Sequence, residues 1–155
     1  MKGNEKIIEQ LNKLLAEELT AINQYFVHAE LCEDWGYEPL HEATKKRSIS
    51  EMKHAETLIE RIIFLEGKPI VSKLNEIRIG SEIPEMYRND LGMECGAVKD
   101  YNEAIKLAAE LGDNNTKRIL EAILKDEEEH IDDLEAQLDQ IEQMGIANYL
   151  AHQIR

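Results

Sequence analysis

Two tetrapeptides, Glu51-Met52-Lys53-His54 and Glu127-Glu128-Glu129-His130, decide the fold of this chain. Each places a Glu and a His three residues apart, so on an α-helix both side chains leave the same face, one turn apart. A further Glu precedes each motif by 33 residues, Glu18 before the first and Glu94 before the second. Four carboxylates and two imidazoles in this doubled spacing are typical of a two-metal site inside a helix bundle.

The composition fits an all-α protein. Of the 155 residues 32% are charged and only 5% aromatic, and apolar residues recur at helical rather than alternating spacing. This length suits one domain with a substantial core, and we expect residues 1–155 to form a single domain around the two-metal site. The net charge of −14 argues against nucleic acid as a partner, because phosphates attract surfaces rich in Lys and Arg.

The cysteines and the N-terminus bear on the cellular compartment. Cys32 and Cys95 are the only cysteines, without a CxxC motif, so two free, buried thiols in a reducing cytosol are expected. The first residues enter an amphipathic helix without the apolar segment of a signal peptide. No apolar run approaches the roughly 20 residues of a membrane span. We therefore expect a cytoplasmic protein with no membrane segment.

Hydrophobic periodicity predicts four long helices and a short fifth. They are a first helix from Asn4 or Glu5 to about Trp35, a second over 40–66, a third over 84–111, a fourth that follows the turn at 112–114 and stops at Gly145, and a short C-terminal helix. The 16-residue connection 67–82 is long enough to travel the length of a helix. We interpret it as the one long crossover of a four-helix bundle, between the second and third helices.

The turns place the acidic residues level with one another. In an antiparallel helix pair, residues equidistant from the turn lie at the same height. The midpoint of Glu18 and Glu51 falls close to Gly36, and that of Glu94 and Glu127 falls close to Gly112. Both hairpins should therefore carry their acidic pair halfway along the helices.

Charge balance makes metal the best explanation of these carboxylates. All four Glu lie on stripes of Leu, Ile, Val and Tyr, and a buried unpaired ion costs several kcal/mol. Lys and Arg are missing from the predicted stripes, so two divalent cations would balance the four negative charges. Carboxylate and imidazole ligands suit Fe, Mn or Zn, and open coordination positions beside Tyr25 favour redox-active iron.

Five segments of the chain resemble the bacterioferritin family. They are Tyr25–Ala29, Ser50–Glu56, Ile63–Pro69, Asp126–Ile131 and Asn148–Leu150. The resemblance covers the whole chain and implies a ferritin-like subunit of a hollow shell, assembled from two dozen copies through two-fold dimers. In that family the shell serves iron storage and detoxification: it oxidises Fe(II) with O2 or H2O2, a ferroxidase reaction, and stores the ferric mineral.

The resemblance also implies roles for individual residues, which are the candidate catalytic and metal-binding set. Glu18 and His54 would be terminal ligands of one iron, Glu94 and His130 of the other, and Glu51 and Glu127 would bridge both. Met52 would be an axial ligand of a b-type haem shared between two subunits. Its expected pocket lining is Leu19, Ile22, Asn23, Phe26, Ile49, Ala55 and Val71. A ferredoxin-type reductase is a possible partner, and the fifth helix would close a shell axis.

Some positions depart from the family pattern or fall outside it. Ser50 and Lys46 put an accessory iron site on the inner surface in doubt. Gly92 and Gly96 straddle Glu94, which indicates a π-bulge, a mobile ligand helix or close packing against a neighbour. The remaining histidines are interpreted as interface or surface groups. These are His28, His41 and His152.

Two other functions compete with iron storage. A non-storage di-iron oxidase or peroxidase of the rubrerythrin kind would use the same six ligands, but such proteins usually carry a CxxC-type iron module. A structural bundle or a haem electron-transfer protein would leave the buried carboxylates without a purpose.

Overall fold

The chain folds into five helices and no strand within residues 1–154, the part that the computed structural model describes. The helices are α1 (Glu5–Asp34), α2 (Glu38–Phe64), α3 (Ile83–Glu110), α4 (Asn114–Met144) and α5 (Ile146–Ala151). The predicted all-α bundle is confirmed, with each long-helix boundary within two residues of its prediction. Residue 155, the predicted end of the domain, lies outside the described residues.

Local chemistry fixes the two helical hairpins. Gly36 and Gly112 have φ values of 82° and 72°, which glycine adopts without steric cost, and each ends the first helix of its hairpin. The Asp113 side chain accepts a hydrogen bond of 3.1 Å from the Thr116 backbone N–H and so caps α4. These tight turns make α1 antiparallel to α2 and α3 antiparallel to α4.

The crossover, residues 65–82, lies along α1 and is tied to it by side chains of that helix. Asn12 Nδ2 donates to the Lys68 carbonyl at 3.1 Å, Thr20 Oγ1 accepts from the Asn75 N–H at 2.8 Å, Gln24 Oε1 from the Arg78 N–H at 3.0 Å, and His28 Nε2 from the Gly80 N–H at 3.0 Å. The connection thus runs from the start of α1 to its end. It therefore leaves α3 antiparallel to α1 and parallel to α2, as predicted.

Cys95 and His28 each correct a prediction. Cys95 was expected to be buried, but it is exposed, because it lies outside the buried stripe of α3. His28 was expected at a surface or interface, but it is 1% exposed and its Nδ1 lies 2.9 Å from Oδ1 of the buried Asp90. The reason is the crossover, which covers this face of α1 and whose buried backbone N–H groups require partners.

Two apolar clusters fill the bundle, one at each end. The first includes Leu11, Leu58 and Leu120; the second includes Met86 and Tyr149. Through Tyr149, α5 docks on the bundle of its own chain, with the Tyr149 hydroxyl 3.2 Å from that of Tyr87. A layer of polar side chains lies between the clusters. None of the helices within residues 1–154 has the length and apolarity to cross a membrane.

Candidate metal centre

Six side chains from four helices meet in the polar layer. They are Glu18 of α1, Glu51 and His54 of α2, Glu94 of α3, and Glu127 and His130 of α4, none more than 9% exposed. They form two overlapping groups, in each of which one ligand atom per residue lies within 4.8 Å of the others. One group contains Glu18 and His54, the other Glu94 and His130, and both contain Glu51 and Glu127.

Both imidazoles direct Nδ1 into the space between the carboxylates. His54 Nδ1 lies 3.0 Å from Glu127 Oε1, 3.1 Å from Glu51 Oε2 and 3.5 Å from Glu18 Oε2. His130 Nδ1 lies 2.9 Å from Glu51 Oε1, 3.4 Å from Glu94 Oε1 and 3.8 Å from Glu127 Oε1. With ring centroids 6.3 Å apart, the two histidines stand on either side of the shared carboxylates.

Two fully buried tyrosines bind the outer carboxylates, Glu18 and Glu94, each of which belongs to only one donor group. The Tyr25 hydroxyl of α1 donates to Glu94 Oε1 at 2.6 Å, and the Tyr101 hydroxyl of α3 donates to Glu18 Oε1 at 2.5 Å. Burial, reinforced by Glu94 for Tyr25 and by Glu18 for Tyr101, raises the pKa of both phenols well above the usual value. Both therefore remain protonated donors and fix one oxygen of each carboxylate, while the other oxygen of each is buried without a hydrogen-bond partner.

The atoms at the centre lack the partners that buried polar atoms normally have. Five make no hydrogen bond of acceptable geometry, although His130 Nδ1 and Glu51 Oε1 are only 2.9 Å apart: Glu18 Oε2, Glu51 Oε1, Glu94 Oε2, Glu127 Oε1 and His130 Nδ1. Within residues 1–154, every ion pair of these four carboxylates is with His54 or His130, and none is with Lys or Arg. Unpartnered donor atoms around one point are what divalent cations coordinate.

Without metal, the cluster holds protons. Burial, followed by the charge of Glu18, raises the pKa of Glu51 and of Glu127 well above the usual value. Burial also acts to raise the pKa of Glu94, but the His130 imidazole, 3.4 Å away, and the Tyr25 hydroxyl outweigh burial and lower it to about 2. Cation binding must therefore displace protons from the shared carboxylates, and metal affinity should increase with pH.

Comparison with known proteins is consistent with this donor set. A family model described as a ferritin-like domain matches residues 8–144. A bacterioferritin of Rhodobacter capsulatus is 46% identical over 94% of this chain and 90% of its own length. Bacterioferritins of Brucella melitensis and Mycolicibacterium paratuberculosis are 44% and 40% identical, over 96% and 97% of this chain and 92% and 95% of theirs. The chain belongs to the bacterioferritin family.

Around the centre of this family member lie two charged residues that the sequence did not reveal. Asp126 Oδ2 is 2.8 Å from His54 Nε2, on the ring edge that faces away from the carboxylates. Arg47 is 8% exposed, with its guanidinium carbon 5.4 Å from the Tyr25 ring centroid. The prediction that Lys and Arg are missing from the buried stripes is therefore wrong for Arg47. Arg47 lies one helical turn before Glu51 on the same stripe, so its spacing alone could have identified it.

Met52 lies on a different face of α2. Met52 is 45% exposed, and Ile49, one turn earlier on the same helix, is 40% exposed. A thioether on an exposed apolar face is chemically compatible with the haem ligand that the resemblance implies. Of the expected pocket lining, Ala55 instead belongs to the apolar core.

A cleft of about 360 Å³ between α1 and α3 reaches Glu18, Glu94 and Glu127 from outside. Gly92 and Gly96 line it, and a Cβ on either would meet no heavy atom within 4 Å. The predicted π-bulge is wrong, because α3 is a regular α-helix, and within the chain neither glycine packs closely against another element.

Proposed function

We propose that the chain is a ferroxidase subunit of an iron-storage shell, with Fe(II) as its substrate. Two Fe(II) ions each lose one electron, reducing O2 and two protons to H2O2, or H2O2 and two protons to two water molecules. The observation that carries the proposal is the pair of overlapping donor groups that share Glu51 and Glu127, with unpartnered oxygens facing a common centre.

Each side chain has a distinct task in this proposal. Glu18 and His54 hold one iron, Glu94 and His130 hold the other, and the shared carboxylates keep the two ions close together. Four carboxylates offset the charge of two divalent cations. The tyrosines keep the outer carboxylates oriented, so that little reorganisation is needed when the ions arrive. The cleft between α1 and α3 gives Fe(II) and the oxidant access to the buried donors.

The wider proposal covers assembly and haem. Residues 1–155 form one domain, and two-fold dimers of it build a cytoplasmic shell of two dozen copies around the ferric mineral. Met52 from each of two subunits holds a b-type haem. Haem, when bound, supplies a one-electron carrier between the mineral and an external reductant such as a ferredoxin-type protein.

Anaerobic Fe(II) titration followed by addition of O2 or H2O2 tests the ferroxidase. We expect two Fe(II) bound per subunit and rapid oxidation to Fe(III). The double variant Glu51→Gln/Glu127→Gln should lose both while eluting like the unchanged protein in size-exclusion chromatography. Oxidation at the unchanged rate in that variant would refute the proposed centre.

The shell and the haem have separate tests. Size-exclusion chromatography with light scattering should give a mass of about two dozen times the 17.8 kDa subunit, and a mass of one or two subunits would exclude storage in a shell. The variant Met52→Leu should lose the Soret band of haem-reconstituted protein and oxidise Fe(II) as before. A retained Soret band would remove Met52 from the haem site.

A further inference from the structure

The six donors and their tyrosines obey an internal repeat. A constant offset of 76 residues relates Glu18 to Glu94, Tyr25 to Tyr101, Glu51 to Glu127 and His54 to His130. The structure respects this relation, because each tyrosine bonds the outer carboxylate of the opposite half. Judged by ligands and tyrosines alone, the two metal positions would be equivalent.

The repeat does not extend to the side chains that contact the outward-facing nitrogens of the two histidines. Asp126 of α4 lies 2.8 Å from His54 Nε2, and the position 76 residues before it is Ser50 of α2. Serine has a shorter side chain and no charge. All three carboxylate contacts of His130 run through Nδ1, which leaves its Nε2 without a counterpart of Asp126 among the described residues.

A second difference acts in the same direction. The guanidinium of Arg47 lies 5.4 Å from the ring of Tyr25, and Tyr25 bonds Glu94 of the second donor group. The residue 76 positions after Arg47 is the apolar Ile123. A buried cation therefore lies next to one half of the centre only, and it opposes the binding of another cation there.

We infer that the two metal positions are unequal, and that the one held by Glu18 and His54 fills first and binds more tightly. This inference rests on the proposed function. In the neutral ring of His54, a carboxylate that accepts from Nε2–H places the single proton on Nε2, holds the ring in place and makes Nδ1 a stronger metal ligand, an effect typically worth 10–100-fold in metal affinity. Asp126 is therefore a positioning residue for the first ion, and the position of Glu94 and His130 is the one that exchanges.

Anaerobic titration of the metal-free, assembled protein with Co(II) tests this inference, because Co(II) reports its coordination by visible absorption and is not oxidised. We expect two binding steps separated by about tenfold or more. Asp126→Ser should weaken the first step by about 10–100-fold, and Ser50→Asp should strengthen the second. The exchange variant Asp126→Ser/Ser50→Asp should reverse the order in which the two positions fill. The variants His54→Ala and His130→Ala each retain one metal position, and their Co(II) spectra would show which position gives which binding step.

Asp133→Ser, at an exposed carboxylate of α4, controls for the loss of one charge and should leave both steps unchanged. Two equal steps in the unchanged protein, or equal weakening of both by Asp126→Ser, would overturn the inference and leave the proposed function intact. Failure to bind two Co(II) ions per subunit would overturn both. A merely structural role of Asp126 cannot reverse the order of filling.

Discussion

Replacing both shared carboxylates with their neutral isosteres should shift the stability of the metal-free and metal-loaded protein in opposite directions. In the metal-free state, burial raises the pKa of Glu51 and of Glu127, so at neutral pH folding must either protonate or desolvate two groups that are ionised in the unfolded chain. Gln has nearly the same shape and no such cost. The metal-free variant Glu51→Gln/Glu127→Gln should therefore melt at or above the temperature of the unchanged protein.

In the metal-loaded state the double substitution should lower the melting temperature, because Glu51 and Glu127 each belong to both donor groups. An ion present at 100 times its dissociation constant stabilises the folded state by about 2.7 kcal/mol, hence about 5 kcal/mol for two sites. In a chain of this size, each kcal/mol raises the melting temperature by about 2–4 °C. Zn(II) should thus raise the melting temperature of the unchanged protein by about 10–20 °C and that of the variant by little.

Differential scanning calorimetry at pH 7, with and without Zn(II), measures both effects. Glu17→Gln is the matched control, since Glu17 adjoins the centre and has a buried, unpartnered oxygen but belongs to neither donor group. It should leave the Zn(II) increment intact. If the double variant kept the full increment, the shared carboxylates would not hold metal; if its metal-free form melted far below the unchanged protein, their role would be structural.

Three further predictions concern groups around the centre. Burial, then the hydrogen bond with Asp100, raises the pKa of Glu17 to about 10. Glu17 should therefore destabilise the folded state increasingly as the pH rises from the pKa of the unfolded chain towards 10. Denaturant titrations should find Glu17→Gln more stabilising at pH 8 than at pH 5, and an equal effect at both pH values would refute the pKa shift. Gly92→Ala and Gly96→Ala should each stabilise α3 by about 0.5–1 kcal/mol in the same assay, because the added methyl meets no atom within 4 Å, and destabilisation would indicate a hidden contact. A thiol reagent should label the exposed Cys95 rapidly in the native protein but Cys32 only on unfolding, because Cys32 is buried and burial raises its pKa to about 11. Mass spectrometry of the labelled peptides measures the order of labelling, and faster labelling of Cys32 would refute its burial.

The sequence predicted the bundle and the meeting of the six side chains because both have local causes. Helix boundaries follow from Gly36, Gly112 and the apolar spacing, and an antiparallel hairpin converts equal distance from a turn into equal height. The position of Glu18 beside Glu51 therefore needs no knowledge of the other hairpin. Burial of charge then restricts what can occupy the space between the hairpins.

What the sequence did not predict depends on contacts between the hairpins or with the crossover. Asp126 precedes a ligand in an acidic run, and nothing local shows that it reaches His54 across the bundle. His28 lies outside the ligand spacing, and only the position of the crossover makes it a buried acceptor for the Gly80 N–H. The cleft beside Gly92 is likewise a space between helices, which no local pattern records.

The connectivity itself explains why the ligands repeat and their surroundings do not. The connection after the first hairpin runs back along α1, where Thr20 accepts a hydrogen bond from the Asn75 N–H. The residue 76 positions later on α3 is Gly96, which lines the open cleft. After α4, by contrast, Gly145 turns the chain directly into α5, without a crossover between these two helices. Two hairpins that carry the same donor residues are thus covered differently, and this difference in surroundings is the physical basis of the inferred difference in affinity between the two metal positions.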